Sequence, residues 1–150
     1  MIRSNQITHN VRNLFPKLKE YFAQRPEIEF GYVFGSYGIG KEKPLSDVDI
    51  AVFLRDDISH DRYFDFRLAL IGDLAHILHT DEVDLVILNQ ASLLLAYQAV
   101  SSRTVLYERD PRVRIRFETR VLDKYFDAEP IRRVQQEYFK RHIQEGKIFG

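Results

Sequence analysis

The sequence predicts an α/β (α+β) protein with a small mixed sheet flanked by helices and a helical C-terminal arm. Two observations support this fold class: segments of helical periodicity alternate with short β-branched and apolar runs, and only helical periodicity follows Arg109. We expect residues 1–108 to form the main domain and residues 109–150 to form a helical extension packed on it. A chain of 150 residues is long enough to bury one such core.

Apolar residues that recur every three or four positions predict helices over residues 6–22, 60–79 and 91–100. Runs rich in β-branched and aromatic residues predict strands at Ile28–Phe34, Val48–Leu54, Val83–Leu88 and, as a short edge strand, Thr104–Tyr107. The run Val83–Leu88 is almost continuously apolar, which is typical of a central strand covered on both faces. We therefore expect that strand to lie inside the sheet.

The segment after Pro111 predicts two further helices. The first carries its apolar residues at Val113, Phe117, Val121 and Tyr125. Asp127 can cap the second helix, because Pro130 then falls in the first turn, where its missing N–H costs little. Gly146 is a typical helix stop.

The composition excludes several classes of protein. The absence of cysteine rules out disulfides, thiolate nucleophiles and cysteine-ligated zinc. No segment approaches the roughly 20 apolar residues that span a bilayer, and the polar N-terminus lacks the apolar core of a signal peptide. We therefore expect a cytoplasmic protein without membrane contact.

The formal net charge of +0 argues against a protein that holds nucleic acid mainly through phosphate contacts, so we expect no stable nucleic-acid complex. The charge is unevenly distributed, because the chain from Arg109 onward contains 11 Lys and Arg against 7 Asp and Glu. A basic arm on an acidic body indicates intramolecular docking or a charged partner, although a solvated helix face has the same composition.

The loop that follows the first predicted strand is a candidate anion-binding site. Gly35 stands at the strand end, where the lack of a Cβ lets backbone N–H groups approach a phosphate. The hydroxyl of Ser36 can donate one more hydrogen bond, and Tyr37 lies in the same loop, where it can face a nucleotide. Many strand-to-turn junctions also read Gly-Ser, so the dipeptide alone is weak evidence.

Three aspartates form the second candidate feature. Asp47 and Asp49 are two positions apart at the start of a strand, so their side chains point to the same face of the sheet. Two such carboxylates repel each other unless their pKa values rise or a cation lies between them. Asp84 lies among apolar neighbours in the next strand, and it either caps that strand or completes a three-carboxylate cluster. Carboxylate oxygens suit Mg²⁺, and two such ions can clamp an in-line displacement at phosphorus.

These residues carry a resemblance to a known family. Gly35-Ser36, ten intervening residues and Asp47-Val48-Asp49 resemble the GS-x10-DxD signature of the polymerase-beta-like nucleotidyltransferase superfamily. Asp84 stands in the place of that family's third metal-binding carboxylate. The compact size, the stretch Leu106–Asp110 and the basic helical arm look most like the minimal nucleotidyltransferase (MNT) antitoxins of HEPN/MNT toxin–antitoxin pairs.

The resemblance implies a polymerase-beta-like nucleotidyltransferase fold and a defined activity. In such proteins the GS loop, here Gly35 and Ser36, holds the phosphates of ATP. The three aspartates, here Asp47, Asp49 and Asp84, bind Mg²⁺, with two ions when the nucleotide is bound. A hydroxyl then attacks the α-phosphate and pyrophosphate leaves, with Asp84 closest to the incoming hydroxyl and placed to help remove its proton. In the antitoxin branch the acceptor is a tyrosine of a HEPN ribonuclease toxin, which receives AMP and is neutralised within a hetero-oligomer.

One residue of the loop departs from the family pattern and motivates the first of two alternative functions. Ile39 stands where many minimal nucleotidyltransferases carry a basic residue, and its presence removes a possible phosphate contact. Lys41 or Lys43 could replace that contact, although solvated loop lysines have the same pattern. The first alternative is an antitoxin that acts by binding and occlusion without catalysis. The second is a nucleotidyltransferase for a small molecule, which the absence of a visible second substrate-binding domain disfavours.

Overall fold

The computed structural model describes residues 11–144, which form a four-stranded sheet with helices on both faces. The strands are β1 Ile28–Phe34, β2 Val48–Leu54, β3 Val83–Ile87 and β4 Thr104–Glu108. The helices are α1 Phe15–Ala23, the single turn α2 Gly35–Gly38, α3 Tyr63–Leu78, α4 Leu93–Ser101 and α5 Pro111–Gln144. The predicted start of the first helix and Gly146 lie outside the described residues. Within the described residues, no helix combines the length and the apolar character needed to cross a membrane.

The sheet has the order β3-β2-β1-β4. β1 pairs antiparallel with both β2 and β4, whereas β2 and β3 run parallel, so the sheet is mixed as predicted. β4 is an edge strand, as expected, but the central position predicted for β3 is wrong, because β3 forms the other edge. Leu85 and Ile87 pack on one face of β3, and Val86 packs on the other. The strand is therefore apolar because both of its faces are covered, and not because it has a neighbouring strand on each side.

Two hydrophobic clusters lie on opposite faces of the sheet. Helices α1 and α3 cover one face, and their buried contacts to it include Leu18, Phe22, Leu70, Leu74 and Leu78. Helix α4 and the first half of α5 cover the other face, where the cluster contains Phe30, Tyr32, Phe34, Ala51, Ala96, Ala99 and Val121. The alternation along β2 divides its residues between these clusters, so Asp49, which is in phase with Ala51, lies on the side of α4 and α5.

The C-terminal arm is one helix rather than the two predicted. α5 runs without interruption over 34 residues and contains Pro130 in its interior. A proline inside a helix removes one backbone hydrogen bond and costs about 3 kcal/mol in an isolated helix. The neighbouring Arg, Lys, Glu and Gln residues are strong helix formers, and they carry the helix across this position. Asp127 therefore lies within α5 and does not cap a new helix.

A buried carboxylate anchors the first half of α5 to the sheet. The side chain of Glu118 is among the few buried charged groups, with 7% of the residue exposed. It accepts a hydrogen bond from the Tyr32 hydroxyl of β1, and it pairs with Arg103 at 2.6 Å and with Arg114 at 2.7 Å. Burial and the neighbouring Glu118 raise the pKa of the Tyr32 hydroxyl far above its usual range. The helix is thus fixed by charge-assisted hydrogen bonds as well as by apolar contacts.

Candidate active site

The turn after β1 brings backbone amides to the edge of the sheet. β1 ends at Phe34 with extended backbone, and Gly35 then adopts a φ of +67°, which favours glycine. The Gly35 N–H donates to Oγ of Ser102 at 3.0 Å, and that hydroxyl donates to the carbonyl of Gln98 at 2.7 Å. The end of α4 therefore holds the first residue of the turn.

Gly38 completes the attachment of this turn. A Cβ built on Gly38 would lie 1.9 Å from the backbone oxygen of Ser102, so the segment that follows α4 packs directly against the glycine backbone. The Gly38 carbonyl accepts a hydrogen bond from the Thr104 hydroxyl at 2.6 Å. Sequence reasoning missed Ser102 and Thr104, because nothing in a single chain indicates that residues about 65 positions apart meet.

Ser36 lies half-buried in the turn beside Gly35. Its carbonyl accepts a hydrogen bond from the Lys41 N–H at 2.8 Å, which closes the loop. Its hydroxyl makes no hydrogen bond with any side chain or backbone group between residues 11 and 144. The hydroxyl is thus available for an external acceptor, and phosphate binding by Ser36 stays a prediction.

Asp49 lies at the centre of the candidate site. In the sheet register it is the partner of Phe34 on β1, the residue before Gly35, and of Asp84 on β3. A Cβ on Gly35 would lie 2.6 Å from Oδ2 of Asp49, so glycine at position 35 is what lets the turn approach this carboxylate. The strand pairing therefore brings the Gly-Ser turn, Asp49 and Asp84 to one place, as the motif spacing suggests.

The pKa of Asp49 shows that the carboxylates interact. Burial and, to a smaller extent, the charges of Asp84 and Asp47 together raise the pKa of this carboxyl to about 6. No arginine or lysine within the described residues pairs with Asp49, so burial and the neighbouring carboxylates raise its pKa without an opposing positive charge. An electrostatic environment of this kind attracts a cation.

Asp84 is more exposed than its apolar neighbours in the sequence suggest, with 62% of its side chain accessible. Its Oδ1 accepts a hydrogen bond from Nη2 of Arg67 on α3 at 3.3 Å and another from the Leu85 N–H at 3.0 Å. This exposure follows from the position of β3, which is an edge strand whose first residues face solvent. Arg67 is a further residue that sequence reasoning missed.

The three aspartates do not form a preformed metal site in the described part of the chain. No group of three His, Cys, Asp or Glu side chains there has the geometry to hold a metal ion. The donor set nevertheless fits a hard divalent cation, because the side chains of Asp47, Asp49 and Asp84 are oxygen donors whose mutual repulsion a cation relieves. The residues present are thus compatible with Mg²⁺, provided that the cation replaces Arg67 as the partner of Asp84.

The position of Tyr37 corrects its predicted role. The residue is 3% exposed and belongs to the cluster formed by α1 and α3, where its ring meets Phe15 edge-on at 6.0 Å. The ring is therefore a core group of the loop and is not placed to face a nucleotide. The position of this tyrosine in a glycine-rich loop predicts an exposed side chain, but the segment before α1 packs over the Tyr37 ring.

Arg12, just before α1, fastens the rest of this loop. Its guanidinium forms two hydrogen bonds with the Glu42 carboxylate, at 3.0 and 2.6 Å, and donates to the Tyr37 carbonyl at 2.9 Å. It also lies over the rings of Phe15 and Tyr37 at 5.5 and 5.9 Å. This bidentate pair holds the pKa of Glu42 below its usual range. The loop that contains Ile39 is thus held from outside by an arginine, although Ile39 itself is exposed.

The mixed sheet, the glycine turn at the end of β1 and the facing aspartates of β2 and β3 define the class of nucleotidyltransferases with the polymerase-beta-like fold. Residues 16–112 match the family described as polymerase beta, nucleotidyltransferase. The chain belongs to this family, which confirms the resemblance and the fold class inferred from the Gly-Ser and Asp-x-Asp motifs.

Several known proteins are similar to this chain over different lengths. The protein adenylyltransferase MntA of Shewanella oneidensis is 38% identical over 82 residues, which span 55% of this chain and 55% of that protein. A solved structure described as a toxin–antitoxin with AMP-PNP has 28% identity and a TM-score of 0.65, covering 87% of this chain and 98% of that chain. A structure of the toxin–antitoxin MntA-HepT has 25% identity and a TM-score of 0.64, covering 86% and 98% of the two chains.

Proposed function

We propose that this protein is an antitoxin that transfers AMP from ATP to a tyrosine of a cognate HEPN ribonuclease toxin and thereby neutralises it. The observation that carries the proposal is the meeting of the Gly35 turn, Asp49 and Asp84 through the register of β1, β2 and β3. The adenylyltransferase activity named for the MntA relative and the AMP-PNP complex of a similar structure support ATP as the substrate. The MntA-HepT structure supports a toxin as the partner.

The site divides the chemical work between two groups of residues. The Ser36 hydroxyl and the amides of the glycine turn other than that of Gly35, which donates to Ser102, bind the terminal phosphates of ATP. Asp47, Asp49 and Asp84 would hold Mg²⁺, which would supply positive charge to the phosphates. Holding the acceptor and ATP together in this geometry lowers the entropic part of the barrier.

The transfer itself is a displacement at the α-phosphorus. The oxygen of the toxin tyrosine forms a bond to this phosphorus while the bond to the bridging oxygen of the pyrophosphate group breaks. Pyrophosphate leaves with that electron pair, and the phenolic proton passes to a carboxylate of the site. Asp84 is suited to receive it, because its side chain is the exposed member of the register pair on the open edge of the sheet.

The experiment that tests this proposal uses purified protein, Mg²⁺, ATP labelled in the α-phosphate and the HEPN protein encoded beside it. We expect label on a tyrosine of the HEPN protein and loss of its ribonuclease activity. The Asp49→Asn variant removes one carboxylate from the centre of the site and should transfer no label. Asp57→Asn is the matched control, because Asp57 is an exposed aspartate paired with Arg55 after the other end of β2. Equal labelling by wild type and Asp49→Asn would contradict the catalytic proposal.

A second candidate function is neutralisation by occlusion alone. Two observations favour it: Asp84 is engaged by Arg67, and the exposed Ile39 offers no cationic contact to a phosphate. A double variant, Asp47→Asn with Asp49→Asn, separates the two functions in cells that express the toxin. Protection by this variant at a level equal to wild type would establish occlusion, whereas loss of protection at equal expression supports catalysis.

A further inference from the structure

The guanidinium of Arg67 contacts the third carboxylate of the candidate site from the neighbouring helix. Nη2 donates to Oδ1 of Asp84 at 3.3 Å, and Nε donates to the backbone oxygen of Leu85 at 3.0 Å. The second contact matters because it fixes the head group, so the guanidinium is held beside Asp84 by the strand itself. About 39% of the Arg67 side chain is exposed, which leaves room for it to move away.

The same oxygen of Asp84 has two donors. Besides Arg67, the backbone N–H of Leu85 donates to Oδ1 at 3.0 Å. An oxygen that already accepts two hydrogen bonds has little capacity left for a further ligand. A cation that approaches it also meets the positive charge of Arg67.

We infer that Arg67 is a positioning residue that holds Asp84 in the cation-free protein and competes with a divalent cation for this carboxylate. The inference rests on the proposed function, because it takes Asp84 as one of the ligands of the metal-nucleotide substrate. It accounts for the finding that no three carboxylates in the described part of the chain are grouped for metal binding, although Asp49 and Asp84 are register partners.

The distribution of positive charge supports this role. Asp49 has no cationic partner within residues 11–144, whereas Asp84 has one. Arg67 thus provides a positive charge for Asp84 alone, whereas a bound cation would provide one for all three aspartates. When a cation replaces Arg67, Asp84 exchanges one favourable contact for another. Asp84 therefore stays close to Asp49 with or without the cation.

A purely structural role for Arg67 is the alternative. Its contact with the Leu85 carbonyl covers a backbone acceptor of the edge strand β3, and such covering protects sheet edges against unwanted pairing. In that case a substitution lowers the stability of the fold but leaves the affinity of the cation site unchanged. Metal affinity and unfolding temperature therefore distinguish the two roles.

The test measures Mn²⁺ binding to the full chain without nucleotide, from the electron paramagnetic resonance signal of free Mn²⁺. The substitution Arg67→Gln removes the exposed ion pair with Asp84 and the positive charge that repels a cation. We therefore expect Arg67→Gln to bind Mn²⁺ about three- to tenfold more tightly than wild type. Arg62→Gln is the control, since it removes the same charge from the segment leading into α3, where the arginine lies over the Phe66 ring at 5.7 Å. We expect its affinity to change less than about twofold.

Three outcomes overturn the inference: unchanged affinity in Arg67→Gln, weaker affinity, or equal tightening in Arg67→Gln and Arg62→Gln. If Arg67→Gln does not fold, Arg67→Lys serves instead, because lysine keeps the charge but cannot hold both Asp84 and the Leu85 carbonyl with a rigid fork. We expect this variant to bind Mn²⁺ more tightly than wild type, and an unchanged affinity contradicts competition. A wild-type protein that binds no Mn²⁺, alone or with ATP, refutes the metal-dependent function itself, which separates the two failures.

Discussion

Gly35 lies so close to Asp49 that a methyl group at position 35 would be 2.6 Å from Oδ2 of the aspartate. This contact joins the Gly-Ser turn to the carboxylates, although thirteen residues separate Gly35 and Asp49 in the sequence. The two halves of the signature motif are therefore one structural unit, and a change in either half displaces the other.

The substitution Gly35→Ala should reduce AMP transfer about tenfold or more, because the new methyl group displaces the Asp49 carboxylate from its position. The φ of +67° adds backbone strain, which costs about 1 kcal/mol for a residue with a Cβ. Gly40→Ala is the matched control, since Gly40 has a φ of +73° but no atom within 4 Å of the place that a methyl group would occupy. Single-turnover labelling and thermal unfolding of both variants separate the effect of strain from that of the contact. Equal losses of activity in both variants would contradict the proposed contact.

The substitution Asp49→Asn should stabilise the protein at pH 7.5 while it abolishes transfer. The folded-state pKa of about 6 lies above the ordinary value of 3.8, so the wild type loses stability as the pH rises from about 4 to above 6. Asparagine carries no charge and removes this loss. We expect a gain of about 1 kcal/mol, reduced from the full effect of the shift because the carboxyl is half-exposed.

Chemical unfolding of wild type and Asp49→Asn across pH 4 to 8 checks this expectation. The difference between the two proteins should vanish near pH 4, where Asp49 is protonated in the folded state, and Mg²⁺ with ATP should stabilise only the wild type. A difference that stays constant with pH would show that the effect arises from packing rather than charge.

The Arg12–Glu42 pair should control nucleotide affinity by holding the loop. Arg12→Lys keeps the charge but loses the bidentate hydrogen bonds and the contact with the Tyr37 carbonyl. We expect the KM for ATP to rise about threefold to tenfold with little change in kcat. In the variant the loop is no longer held in place, so part of the binding energy of ATP is used to order it. Glu42→Gln should have a similar effect, and the double variant should be no worse than either single one. Additive losses in this cycle would argue against a shared role.

The buried Glu118 should be important for stability. Glu118→Ala leaves Arg103 and Arg114 without their buried partner and is expected to destabilise the protein by about 3 kcal/mol. Tyr32→Phe removes only one hydrogen bond to the same carboxylate and should cost about 1 kcal/mol. Chemical denaturation of the two variants measures both values. A smaller loss for Glu118→Ala than for Tyr32→Phe would contradict the anchoring role.

The sequence predicted the strands of this fold well because their residues carry the information locally. The bounds of β1 and β2 agree with the β-branched and aromatic runs, and β3 and β4 differ from their predicted ends by one residue. The Gly-Ser and Asp-x-Asp motifs also lie close together, because the antiparallel pairing of β1 and β2 places Phe34 opposite Asp49.

The failures concern properties that depend on distant parts of the chain. The burial of Tyr37 depends on Phe15 and Arg12, and the attachment of the turn depends on Ser102. The edge position of β3 was missed because apolar content reports coverage of the faces and carries no information about strand neighbours. Pro130 was misassigned because a proline in a first turn and one in a helix interior cannot be told apart without the flanking backbone.

The continuity of α5 fixes how the two ends of this molecule are oriented. Its 34 residues extend about 51 Å, and the Glu118 contacts lock its first turns to the sheet. A partner bound to the last turns of α5 would therefore have its orientation relative to the sheet set by this helix. Insertion of a single residue near Pro130 would rotate the part of α5 beyond it by about 100° relative to the sheet, without changing any residue of the candidate site.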